Sequence, residues 1–90
     1  MVEHKLKCWP QYFDAIERGD KPFEVRRDDR GFQKGDVLVL QKYDPSEGRY
    51  MRPFPGRPGE WELRRKITYI LTGGQLGIEP GYVVLGLGTE

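Results

Sequence analysis

Lys21, Glu24 and Arg26 place a cation, an anion and a second cation within six residues of chain. They sit at a helix-to-strand junction, with Glu24 and Arg26 on one face of the strand, and form the densest candidate for a charged site in the chain. The plainer alternative is an ion-pair cluster on the rim of a sheet, which stabilises little.

Other reactive residues are sparse. One histidine and one cysteine fall short of the three or four ligands that a zinc site needs, so neither metal nor cofactor is expected. His4 and Cys8 are four positions apart in an alternating segment. At about 3.3 Å per residue on a strand their Cα atoms lie about 13 Å apart, too far for a nucleophile–base pair. Cys8 is expected to act as a small buried hydrophobe, and His4 as a strand-end residue with a local hydrogen bond. Thr72-Gly73-Gly74 follows a strand-like run, but no amphipathic helix comes after it to bind phosphate at its N-terminus.

The elements that must position Lys21, Glu24 and Arg26 are short. From His4 to Trp9 the residues alternate, with His4, Leu6 and Cys8 on one face and Lys5, Lys7 and Trp9 on the other, as in a strand. Pro10 suits a first helical turn. Tyr12, Phe13 and Ile16 then form one apolar stripe on a helix of about two turns, which Gly19 ends. Phe23-Glu24-Val25-Arg26 alternates again, with Phe23 and Val25 expected inward and Glu24 and Arg26 sharing the opposite face. Lys21 precedes this strand.

Further along, a polar connection runs from Arg27 to Asp36, and Val37 to Tyr43 reads as a central strand covered on both sides. Asp44 to Gly48 is a turn. Pro53 to Gly59 holds three prolines, each lacking a ladder donor, and reads as an exposed loop within a Pro/Gly-rich stretch at about 50–60. Trp61, Leu63, Ile67, Tyr69 and Leu71 share one parity of a long strand, with a bend expected at Arg65. Tyr82 to Leu87 is a closing buried strand.

Composition sets the limits. The chain has 90 residues, with fifteen Lys and Arg against fourteen Asp and Glu, a formal charge of +1. So balanced a surface does not bind phosphate strongly at large, though a local basic patch remains open. One such patch runs from Arg49 to Lys66, where six cations meet two carboxylates with Tyr50, Phe54 and Trp61 interleaved; it reads first as a solvated loop and strand face and second as a flexible nucleic-acid contact. A single cysteine excludes an internal disulfide, and no apolar run approaches the roughly 20 residues of a membrane helix. No apolar leader follows Met1, so a cytoplasmic location is expected. Twelve glycines and seven prolines favour turns over long helices. The expectation is a single domain over residues 1–90, mainly β with one short N-terminal helix (α+β), its roughly five strands forming a small barrel.

Gly19-x-Lys21-x-x-Glu24-x-Arg26 resembles the G-x-K-x-x-E-x-R signature of ASCH domains, small β-barrels related to the PUA domain. His4-x-Leu6-Lys7, Tyr12-Phe13-x-Ala15-Ile16, Asp29-Arg30-x-Phe32-x-x-Gly35-Asp36, Tyr43-Asp44-Pro45 and Gly81-Tyr82-Val83-x-Leu85-Gly86 extend the likeness to a short prokaryotic and phage branch. The stretch at about 50–60 is the exception. The resemblance implies a PUA-like barrel that binds RNA or a modified nucleoside in a cleft beside the helix and the signature strand. Lys21, Glu24 and Arg26 would line that cleft, with help from Lys7 and Arg30, and Trp9 would offer a stacking face. A second ASCH branch comprises amidohydrolases acting on acylated cytidine, in which Lys21 and Glu24 would be catalytic. Those enzymes carry Thr where this chain has Glu24. A third expectation is a protein-interaction domain.

Overall fold

A computed structural model describes residues 2–53 and 60–89. The chain runs β1 (Glu3–Cys8), α1 (Pro10–Arg18), β2 (Phe23–Arg27), β3 (Val37–Asp44), β4 (Arg49–Tyr50), β5 (Glu62–Thr72) and β6 (Tyr82–Gly88). Five strands form one curled, barrel-like sheet in the order β1-β3-β5-β6-β2, with the two-residue β4 added to the end of β3. The pairing of β1 with β3 is parallel and the other ladders are antiparallel. β1 and β2 are thus the two free edges, and the curl brings them towards each other with α1 as their connection. The Pro/Gly-rich segment from Phe54 to Gly59 lies outside the described residues.

Alternation folds β1 as expected: His4, Leu6 and Cys8 are buried, while Lys5 and Lys7 are exposed. β3 is covered on both faces from Val37 to Leu40. Phe13 and Ile16 of α1 complete a core with Leu6, Cys8, Phe32, Leu38, Leu40, Leu63, Ile67, Val83 and Leu85. Each large side chain buried there contributes about 1.5–3 kcal/mol, and so a two-turn helix that would melt alone persists.

α1 starts with Pro10 at its first position and ends at Gly19, whose φ of 85° is left-handed. The backbone N–H groups of Asp20 and Lys21 donate back to the Ala15 carbonyl at 2.9 and 3.1 Å. This tight exit delivers Lys21 to the start of β2. Tyr12 does not join the buried stripe expected from its spacing; it is 44% exposed, because it lies on the flank of α1 beside the free sheet edge.

His4 makes a long-range contact, not a local one: its Nε2 lies 2.9 Å from Asp36 Oδ2, and the same carboxylate accepts from the Val2 and Gln33 backbone N–H groups at 3.2 and 3.0 Å. The break in β5 falls beyond Arg65. Ile67 pairs with Leu87 and Tyr69 with Gly86, so Thr68 is an extra residue, a β-bulge that reverses parity. Tyr69 therefore turns outward and Ile70 packs on the core.

Candidate functional site

No ladder joins β1 to β2, yet the gap between them is bridged by side chains. The guanidinium of Arg26, on β2, donates through Nη2 to the Lys7 carbonyl of β1. Arg30, in the connection after β2, donates through Nη1 to the Lys5 carbonyl at 3.1 Å. Two arginines thus satisfy carbonyls along an edge where a closed barrel would place another strand's N–H groups.

A cleft of about 470 Å³ opens at one end of this gap. Lys7, Cys8 and Trp9 line it from the end of β1, Tyr12 from α1, and Lys21, Glu24, Val25 and Arg26 from the opposite edge. Glu24 is its anchor, only 4% exposed. Its Oε1 accepts from Lys21 Nζ at 2.7 Å and its Oε2 from Arg26 Nε at 2.9 Å. Removing a carboxylate from water is costly unless it is paired and hydrogen-bonded, and here both oxygens are engaged. Each retains a second lone pair for an incoming donor.

The orientation of β2 is the reverse of that expected from hydrophobicity. Phe23 and Val25 are 40% and 50% exposed, and Glu24 points inward. Register explains it. Glu24 pairs with Leu85 and Arg26 with Val83; both apolar partners belong to the core, and directly opposed residues share a face. The charged parity of β2 is therefore the inner one, at the point where the curled sheet opens to solvent.

Around this anchor the cleft is aromatic and cationic. Trp9, 47% exposed, stacks on Tyr12 with ring centroids 6.0 Å apart and planes at 19°. Lys21 Nζ also donates to the Phe23 carbonyl at 3.1 Å and lies 5.0 Å from the centre of the Tyr12 ring. Lys7 Nζ stands 4.5 Å from the centre of the Tyr43 ring. Three cations against one carboxylate leave the wall positive, as an anionic ligand requires. Burial, and then the charge of Glu24, push the Cys8 thiol up to about 12. That rules out a ready thiolate nucleophile.

Five of the six residues singled out from sequence meet here: Lys7, Trp9, Lys21, Glu24 and Arg26. Arg30 does not. It lines a separate hollow of about 140 Å³ with Leu6, Arg26, Arg27, Asp29 and Phe32, and Arg26 is the wall between the two. Cys8, Tyr12 and Val25 also line the cleft and are not singled out by the sequence. The signal for Cys8 was its inward parity at the end of β1; Tyr12 was hidden by its place in an apolar stripe. Within the basic stretch from Arg49 to Lys66, Arg49 pairs with Glu47 at 2.6 Å and Arg64 with Glu3 at 2.7 Å, while Arg57 lies outside the described residues. Among the described residues no group of three or more His, Cys, Asp or Glu side chains is placed to hold a metal, and no helix is long and apolar enough to cross a membrane.

A family model described as a domain of unknown function (DUF3850) matches residues 3–87. An uncharacterised 12.9 kDa protein in the GpA 3' region of Escherichia phage P2 is similar over 40 residues at 38% identity. That alignment covers 44% of this chain and 37% of the phage protein.

Proposed function

The chain belongs to the DUF3850 family, and we propose that it is a non-catalytic module binding RNA or a nucleotide, with one base seated in the cleft between β1 and β2. The observation that carries this reading is the buried Glu24 carboxylate, held by Lys21 at 2.7 Å and Arg26 at 2.9 Å beside the exposed Trp9–Tyr12 stack. A base needs a flat apolar face and an acceptor or donor at its edge. The stacked rings supply the first and the spare lone pairs of Glu24 the second, accepting from an amino group. Lys7, Lys21 and Arg26 supply charge for the phosphate. The cleft volume falls within the usual range for small-ligand sites, about 300–1,000 Å³. The likeness to ASCH and PUA-like domains at Gly19-x-Lys21-x-x-Glu24-x-Arg26 supports the same reading. The setting that goes with it is the cytoplasm.

Fluorescence anisotropy with single-stranded, duplex and structured RNA at two salt concentrations tests this. Salt-sensitive binding that Lys21→Ala weakens more than Lys34→Ala supports the cleft. Equal effects of the two substitutions overturn it, since Lys34 stands on the connection between β2 and β3 and does not line the cleft.

The contact of Lys21 with Glu24 also suits a second reading, hydrolysis of an N-acylated cytidine with one of the pair as base. Both groups are already committed to an ion pair that includes Arg26, and this favours holding over proton transfer. Release of free cytidine from N4-acetylcytidine by the purified protein, lost in Lys21→Ala, would put the second reading first.

A further inference from the structure

A second group of rings and cations adjoins the cleft, its three rings standing outside the cleft wall. Lys7 belongs to both: it forms part of the cleft wall, and its ammonium lies over the Tyr43 ring. From Tyr43 the ring centroids step 5.2 Å to Tyr50 and 6.1 Å on to Trp61, each pair meeting edge to face at 74° and 75°. The guanidinium of Arg52 lies 4.9 Å from the centre of the Trp61 ring and 5.6 Å from that of Tyr50. All three rings are half-buried and Arg52 is exposed. The geometry arises because β4 pairs Tyr50 against Tyr43 at the end of β3, and because the Trp61 carbonyl accepts from the Lys42 backbone N–H at 2.7 Å.

We propose that this row is a track for a single strand of nucleic acid, holding the nucleotides that flank the base in the cleft. The proposal rests on the cleft reading and extends it from one nucleotide to several. Three successive aromatic rings with a cation at each end suit a flexible polyanion whose bases are free to stack. A duplex keeps its base faces occupied and offers such a row only its backbone. Continuity through Lys7 gives the direction of the strand, from the Trp9–Tyr12 stack across Tyr43 towards Trp61 and Arg52.

The test is a length series. The four nucleoside 5′-monophosphates are titrated first, and the tightest is extended to the dinucleotide and tetranucleotide, with a short duplex as the comparison. Wild type, Arg52→Gln and Trp61→Leu are compared after circular dichroism has confirmed that each is folded. Arg52 is exposed, so Arg52→Gln carries the test if Trp61→Leu fails to fold. The expected result is a tetranucleotide bound at least about fivefold tighter than the mononucleotide. That gain should shrink in both variants, while mononucleotide affinity stays at the wild-type value and the duplex binds no better than a mononucleotide. A flat length dependence in wild type, or variants that weaken mononucleotide and tetranucleotide equally, would overturn the track. Failure of the cleft reading looks different: no mononucleotide binds, and Lys21→Ala leaves the tetranucleotide unaffected.

Discussion

Arg26 spans the free edge of the sheet to Lys7, donating to its backbone carbonyl through Nη2 while its Nε holds Glu24 on its own strand. One guanidinium thus ties the two edges together and neutralises the buried carboxylate between them. Arg26→Ala removes both contacts and leaves Glu24 with Lys21 as its remaining partner. A loss of about 1–3 kcal/mol in unfolding free energy is expected, measured by urea denaturation. Arg26→Lys keeps the charge but lacks the planar fork that reaches two acceptors at once, and it should recover only part of the loss. Full recovery by lysine would show that charge alone matters.

Glu24→Gln separates the base-reading role of the carboxylate from the phosphate-binding role of the cations. The cleft then carries more net positive charge. Inorganic phosphate or pyrophosphate should bind no more weakly than to wild type, whereas nucleotide discrimination should narrow. The four nucleoside monophosphates, titrated by calorimetry, give the comparison. Unchanged discrimination would mean that Glu24 only organises Lys21 and Arg26.

Cys8 reports on the same carboxylate. Its thiol is pushed up to about 12 by burial first and by Glu24 second, against the opposing charges of Arg26 and Lys21. The native protein should resist iodoacetamide at mildly alkaline pH and react on unfolding. In Glu24→Gln the pH at which the native thiol begins to react should fall. Rapid alkylation of native wild type would contradict the burial of Cys8.

Acid stability should depend on Asp36. Its carboxyl is held below the ordinary value of 3.8, chiefly by the hydrogen bond with His4 and then by the Val2 and Gln33 N–H groups. A lowered carboxyl pKa contributes stability that is present above the unfolded value and lost as pH falls through the folded one. The contribution is therefore intact at neutral pH and fades below about 3.8. Asp36→Asn should lower the melting temperature at pH 7 and make the variant less sensitive than wild type to acid below that point. Thermal melts of both across the acid range check the sign, with Asp44, also lowered, left in place in each protein.

Much of this was legible from residue order. The parity of β1 places Leu6 and Cys8 inward, and Gly19 marks the helix end that releases Lys21. The inward turn of Glu24 was not legible, because hydrophobicity assigns Phe23 and Val25 to the core and only the β2–β6 register reverses that choice. The bulge at Thr68 was hidden in the same way, since alternation continues to Tyr69 on paper while pairing with Gly86 flips it. His4 and Asp36 lie far apart in sequence, and a parallel β1–β3 pairing was needed to join them. The family likeness places Arg30 beside the cleft, whereas its side chain lines the neighbouring hollow and reaches the Lys5 carbonyl.

A nucleotide bound between β1 and β2 leaves a local footprint on the residues that line the cleft. Backbone and indole N–H resonances followed by two-dimensional NMR during titration with the four nucleoside 5′-monophosphates would show this at residue level. The largest shifts are predicted at Lys7, Cys8, the Trp9 indole and Lys21 to Arg26, with small ones around Lys34. No shift with any nucleotide, or shifts centred on the outer face at Tyr69 and Leu76, would contradict a base-binding cleft between β1 and β2.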